Sequence, residues 1–196
     1  CLHRARSGSL GGLEFACAIP GTVGGGVWMN AGAYGGDIAG VLERALVVSA
    51  EGAGWRTPAE LGLEYRRSGL APGQVVARAD FLLVPTPESE IRSTVAAMQA
   101  QRKAAQPTNK RTFGSVFKNP AHELTAGRLL EACGLRGYRI GGAQISPRHA
   151  NFIENADGAR SADAIALMAE ARRRAREEFS VELEHEVQFL GDLSLP

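Results

Sequence analysis

Cysteine is scarce in this chain: Cys1, Cys17 and Cys133 are the only three in 196 residues. An odd number with no metal-ligand spacing speaks against a disulfide framework and against a zinc or other metal site. Cys17 and Cys133 stand inside apolar stretches and are expected in the core as reduced thiols. Charge of one sign is lacking too. With a formal net charge of +1, no bulk attraction to nucleic acid or to a membrane surface is expected. No apolar run reaches the ~20 residues that a transmembrane helix needs, and no signal-peptide pattern opens the chain. These absences together read as a cytoplasmic protein. There is no internal repeat and no low-complexity segment. What is present is ordinary in bulk, 44% hydrophobic and 22% charged, enough for one sizeable domain or two small ones.

The unusual wealth is glycine, and it is concentrated near the start. Leu13 to Ala18 reads as a short helix stopped by Pro20-Gly21. Thr22 to Gly26 then reads as a loop whose missing side chains leave its amides open to phosphate oxygens or to the polar edge of a flat cofactor. The pattern matches neither the dinucleotide fingerprint nor the Walker loop. A tight packing junction between strands is the alternative, and glycine content does not separate the two. Asn30, Gly32 and Gly35-Gly36 continue the permissive backbone.

Further along, 41–49 reads as a strand that returns through Trp55-Arg56. A helix is expected from Pro58 to Tyr65 with Thr57 as its cap. Arg66 and Arg67 follow, in a setting typical of solvated surface. Val75 to Val84 reads as a strand closed by Pro85-Thr86-Pro87. Glu88 to Ala105 has helical periodicity, with Ile91, Val95 and Met98 on one face and acids near its start. Pro107 ends it, and a domain boundary is expected there. Residues 124–134 read as a short helix burying Leu129, Leu130 and Cys133, with Gly134 as a C-terminal cap. Short strands are expected over Tyr138–Ile140 and Asn151–Glu154. Ser161 should cap a helix to Phe179, whose last turns hold Arg172, Arg173, Arg174 and Arg176, a charge run that the helix end explains. Val181 to Leu190 alternates as a strand.

One further stretch carries chemistry, Gly114-Ser115-Val116-Phe117-Lys118-Asn119-Pro120. It presents a hydroxyl beside a glycine, an apolar anchor, then a cation and an amide before proline stops the strand. Alone, a serine beside a glycine is better explained by turn chemistry.

Taken in order, Ile19-Pro20-Gly21-Thr22-Val23-Gly24-Gly25 with Met29-Asn30-Ala31-Gly32-Ala33-Tyr34-Gly35, Tyr65-Arg66-Arg67-Ser68, the serine segment, Gly137-Tyr138-Arg139-Ile140-Gly141-Gly142-Ala143-Gln144, His149-Ala150-Asn151-Phe152 and Leu183-Glu184-His185-Glu186-Val187-Gln188-Phe189 resemble the UDP-N-acetylenolpyruvoylglucosamine reductase (MurB) family. The resemblance covers nearly the whole chain. It implies an α+β fold: the second subdomain of a two-part FAD-binding fold of the vanillyl-alcohol-oxidase type, then a small α+β substrate-binding domain. The implied division is 1–107 for the FAD part, 108–186 for the substrate part and 187–196 for a tail. The implied cofactors are non-covalent FAD and NADPH, and the substrate is the enolpyruvyl ether of UDP-N-acetylglucosamine, reduced to UDP-N-acetylmuramate for peptidoglycan.

By the same match, Arg66 and Glu186 stabilise the enolate formed during hydride addition and Ser115 is the general acid. Pro20, Gly21, Thr22, Gly24, Gly25 and Asn30 would line FAD, and Arg102 would approach its phosphates unless it is a plain surface arginine. Lys118 and Asn119 would hold the substrate. His149 would contact it or serve as a structural histidine. Phe113 and His185 depart from the family pattern, which favours a small residue and a proline there. The family also carries an N-terminal FAD subdomain that these residues do not include, so this polypeptide alone is expected to bind FAD weakly or not at all. Two alternatives stay open: another flavin-dependent oxidase or dehydrogenase of the same fold, and a fragment that merely binds UDP-sugars.

Overall fold

Residues 1–195 are described by the computed structural model, whose backbone divides into two units, Cys1–Gln101 and Arg102–Pro196. The first unit opens with helix α1 (Leu2–Ser7), strand β1 (Leu10–Gly11) and one 3-10 turn over Glu14–Ala16. Helix α2 (Val23–Trp28) leads into a small hairpin of β2 (Gly32–Ala33) and β3 (Gly36–Asp37). Then come β4 (Leu42–Ser49), β5 (Gly52–Arg56), β6 (Val75–Phe81), β7 (Val84–Pro85) and helix α3 (Glu88–Ala105). Strand β4 is the middle of an antiparallel sheet ordered β5-β4-β6, and β1 pairs with β7. Its Leu42, Ala45 and Val47 enter a core with Phe15, Val27, Ile38, Leu61 and Leu70.

The second unit holds β8 (Thr112–Ser115), α4 (Ala126–Ala132), β9 (Arg139–Ile140), β10 (Ala143–Ile145), β11 (Phe152–Asn155) and α5 (Ser161–Phe179). Its sheet is antiparallel in the order β8-β11-β10-β9. Leu167, Met168, Ala171 and Ala175 recur at helical spacing along α5 and are buried with Leu129, Leu130 and Cys133 of the α4 region. The α+β class expected from the sequence is what these elements make.

Several expectations differ from the structure in instructive ways. The division between the units falls within α3, at Gln101/Arg102, rather than after Pro107. Val187, Phe189 and Leu195, assigned to a tail, pack on the second core. The supposed loop at Thr22–Gly26 is the start of α2. The Thr22 hydroxyl accepts from Gly25 N–H at 3.1 Å, and Gly26 N–H donates to the Thr22 carbonyl, so those amides are already engaged.

The helix expected from Pro58 starts but does not propagate. Thr57 and Glu60 exchange capping bonds and Leu61 N–H donates to the Thr57 carbonyl, yet Gly62 then takes φ +55° and ends the turn. Helix α5 begins at Arg160 as cap rather than Ser161. The Asp163 carboxylate accepts from both Arg160 and Gly142 N–H, and these two bonds hold its pKa low. Strand β10 lies between the two short strands expected over 138–140 and 151–154, and 181–190, expected as a strand, makes a single bridge, Phe117 to His185.

Asn30 holds the first unit's irregular segments together. It is 2% exposed, in a left-handed conformation, and its carboxamide donates to Asp37 and to the Glu64 carbonyl while accepting from Ala39 N–H. Asn30→Ala removes three bonds and strands buried groups, so a loss of about 2 to 3 kcal/mol is expected in urea unfolding. A change below about 0.5 kcal/mol, the ordinary surface value, would show that the carboxamide is not the junction.

Candidate active site

In the first unit the Arg66 segment and the glycine segment converge. Glu64 and Arg67 close a tight antiparallel bridge with Arg66 at φ +56° in the turn. The Arg66 guanidinium donates to the Gly32 carbonyl at 2.5 Å and lies 4.8 Å from the Tyr65 ring centre. Asn30 fastens the same turn through the Glu64 carbonyl. A side chain at Gly32 would collide with the Gly36 carbonyl at 2.5 Å, so this approach of backbones requires glycine.

The expected cofactor residues divide. Pro20, Gly21 and Thr22 are exposed ahead of α2, and Gly21 has φ +123° with open space where a Cβ would stand. Gly24 instead faces β6, where a Cβ would come 3.0 Å from the Val76 carbonyl, and its smallness serves packing. The Gly25 amide is capped by Thr22, and Asn30 is fully engaged within the fold. Arg102 sits half-buried in the last turn of α3.

In the second unit Ser115 ends β8 and is exposed. Along β8 and β11, Ser115 pairs with Phe152 and Thr112 with Glu154, so two intervening residues are set against one. That extra residue is a bulge, made possible by Gly114 at φ +89°, and it turns Phe113 outward to 50% exposure. Beyond Ser115 the chain meets the C-terminal segment. Glu186 N–H donates to the Val116 carbonyl and Lys118 N–H to the Glu184 carbonyl, both at 2.8 Å. Ser115 and Glu186 therefore stand on adjacent extended segments. The Lys118 ammonium lies 2.5 Å from the Glu184 carboxylate, an ion pair whose acid side chain is solvent-exposed.

Asn119 and His149 both meet the first turn of α4. Asn119 accepts from Ala126 N–H, and the imidazole lies against Gly127, where a Cβ would be 2.9 Å from Cε1. His149 Nδ1 accepts from Asn151 N–H at 3.3 Å, and its ring meets Phe152 edge-on at 4.9 Å. Burial holds its pKa below the ordinary histidine value, with Arg136 and Arg128 adding to the effect.

Residues 106–190 match the family described as UDP-N-acetylenolpyruvoylglucosamine reductase, C-terminal domain. UDP-N-acetylenolpyruvoylglucosamine reductase of Anaeromyxobacter dehalogenans (strain 2CP-C) is 44% identical over 189 residues, covering 96% of this chain and 57% of the relative. The enzyme designated reductase 2 of Symbiobacterium thermophilum is also 44% identical, over 96% of this chain and 62% of its own. A crystal structure of the Thermus caldophilus reductase (MurB) superposes with a TM-score of 0.84 at 40% identity, over 95% of this chain and 67% of that one. The chain belongs to the UDP-N-acetylenolpyruvoylglucosamine reductase family.

It spans under two thirds of the length of those two curated relatives. Within the family-matched stretch fall Ser115, Lys118, Asn119, His149 and Glu186, while Arg66 and the glycine segment precede it. Sequence reasoning did not single out Gly114 or Asn151 as site-building residues. A glycine next to a serine in a strand was the available signal for the bulge; for Asn151 there was none, because its partners are 34 positions away.

Gly114→Ala meets no atom within 4 Å, so its effect is purely conformational. The left-handed backbone should make it cost about 1 to 2 kcal/mol in chemical denaturation. A neutral or stabilising result would show that the bulge does not need glycine.

For His149 the folded pKa is depressed, so its contribution to stability is complete above the unfolded value of about 6.5 and is lost as pH falls from there through the lower folded value. The melting temperature should therefore drop on acidification from neutral pH, and His149→Gln should flatten that part of the profile. An unchanged acid limb in the variant would remove His149 as its cause.

Proposed function

We propose that this chain provides the Arg66, Ser115 and Glu186 chemistry of UDP-N-acetylenolpyruvoylglucosamine reduction in peptidoglycan precursor synthesis. The observation that carries the reading is the pairing of the Ser115 and Glu186 segments through Val116, in a chain with 44%-identical reductase relatives. In this reading the first unit is the second part of a two-part FAD-binding fold and the second unit binds the UDP-sugar. A cytoplasmic protein is expected, because NADPH and a nucleotide sugar are the reactants.

The fit to FAD rests on Pro20, Gly21 and Thr22. Their uncharged, exposed backbone ahead of α2, with open space at the Gly21 Cβ position, suits the edge of a flat ring or its hydroxylated chain. Those residues would hold FAD, whose reduced form would make hydride available for C3 of the enolpyruvyl group, with NADPH as the source of the electron pair. As that bond forms, the carbon–carbon π pair moves towards the carboxylate and negative charge develops as an enolate at C2.

Arg66 suits stabilisation of this charge. Its guanidinium stays cationic at all working pH values, and Gly32 and Tyr65 already hold it in one orientation. Glu186, protonated or organising a proton-bearing water, assists. The Ser115 hydroxyl delivers a proton to C2, completing the addition of one hydride and one proton. Lys118 suits the substrate's sugar or diphosphate: its side chain is largely buried and its partner Glu184 is exposed, so a phosphate could replace that carboxylate at little cost. Asn119 at the start of α4 and His149 complete the proposed substrate contacts.

The test is NADPH oxidation in flavin-loaded, full-length protein. Turnover should require the enolpyruvyl nucleotide, and flavin turnover indifferent to it would favour an oxidase of the same fold. Ser115→Ala should leave NADPH-driven flavin bleaching intact and slow reoxidation by the nucleotide by about 10² to 10⁴-fold. Equal loss of both half-reactions would count against the acid role.

A further inference from the structure

The bridge between Phe117 and His185 is of the non-hydrogen-bonded kind: the ladder bonds run from Lys118 to Glu184 and from Glu186 to Val116, on either side of it. Phe117's own N–H and carbonyl therefore point away from the C-terminal segment, into the interior, where Phe117 is 2% exposed. No strand meets them. The Asn151 carboxamide does: its Oδ1 accepts from Phe117 N–H at 2.9 Å and its Nδ2 donates to the Phe117 carbonyl at 2.8 Å. One residue earlier, Val116 N–H donates to the Asn151 carbonyl at 2.9 Å. Asn151 is itself 4% exposed. Its side chain thus acts as one residue of a missing strand, at the point where the path of β8 parts from β11.

We infer that Asn151 is a positioning residue for the proton-delivery segment. It clamps the Val116-Phe117 backbone, and that backbone fixes Ser115 on one side, Lys118 on the other and Glu186 through the Val116 carbonyl. The inference rests on the reading of Ser115 as proton donor. A carboxamide is the side chain this geometry calls for, since it offers an acceptor and a donor at once to the N–H and carbonyl of one residue. Aspartate keeps the shape and the acceptor but turns lone pairs towards the Phe117 carbonyl. Alanine leaves a buried N–H and a buried carbonyl without partners.

Asn151→Asp and Asn151→Ala, in the full-length flavin-loaded protein, are compared with the parent and with Ser115→Ala. In the folded fraction of each Asn151 variant, NADPH-driven flavin bleaching should proceed at the parental rate. Reoxidation by the enolpyruvyl nucleotide should slow by about 10- to 100-fold, the scale of an ångström-sized misplacement, with kcat falling more than KM rises. A purely structural asparagine predicts instead that both half-reactions fall together, in proportion to the folded fraction, and that outcome would overturn the inference. Parental reoxidation rates in both variants, beside a slow Ser115→Ala, would overturn it as well while leaving the acid role standing. A Ser115→Ala protein with unchanged reoxidation would remove the acid role and this inference together.

Amide exchange in the unmodified protein provides a measurement independent of turnover and of the variants' folding. The Phe117 amide, whose acceptor is the Asn151 side chain, should be among the slowest of the segment 112–119. Exchange as fast as at exposed positions would sink the clamp.

Discussion

The backbone N–H and carbonyl of a single residue, Phe117, govern how the chain around Ser115 is arranged. Its bridge to His185 is one in which neither residue bonds the other directly, so its polar groups face a dry interior. Leaving them open would cost about 1 to 3 kcal/mol for each group, and among the described residues no backbone group outside the helices and strands bonds them. Asn151 supplies both partners from one side chain. The backbone path from Gly114 to Asn119 follows from that requirement, with the C-terminal segment on its other edge.

The bulge upstream belongs to the same construction. Residue Gly114 absorbs the additional position in a conformation that a side chain would strain, and Phe113 swings outward as a consequence. A bulky side chain at Phe113 is tolerable because the bulge leaves it half exposed. His185 sits opposite Phe117 in the bridge without a backbone bond to it. Its imidazole faces the Val187 carbonyl at 2.8 Å and packs near Phe189, so local contacts hold the turn of chain that a proline ring would otherwise stiffen.

The first unit reaches comparable order by a different route. Glycine there is used to bring backbones together: Gly32 against the Gly36 carbonyl, Gly36 against the Phe15 ring, Gly24 against β6. Asn30 then ties the resulting irregular segments to the turn that carries Arg66. Arg66 itself is held in a left-handed turn with its guanidinium bonded to Gly32 and stacked on Tyr65. A long cationic side chain would ordinarily lose much rotamer entropy on meeting an anion; here most of that ordering is already done by the fold.

The sequence by itself determined the elements whose signals are local. Helix α3 was legible from Ile91, Val95 and Met98 at helical spacing between acids and Pro107, and α4 from Leu129, Leu130 and Gly134. The ordered motifs were enough for the family and for the candidates Arg66, Ser115 and Glu186. Tertiary structure decided the rest, wherever a segment's partners lie far along the chain. Thr22–Gly26 became a helix because its small face packs on β6, the turn after Thr57 stopped because Gly62 took a left-handed backbone, and 181–190 stayed outside a regular sheet with one bridge. Asn151 looked like the first residue of a short strand, with nothing local to mark its side chain as a clamp. Hydrogen-bond satisfaction of a buried peptide 34 positions away is a property of the folded chain, and no local pattern of residues encodes it.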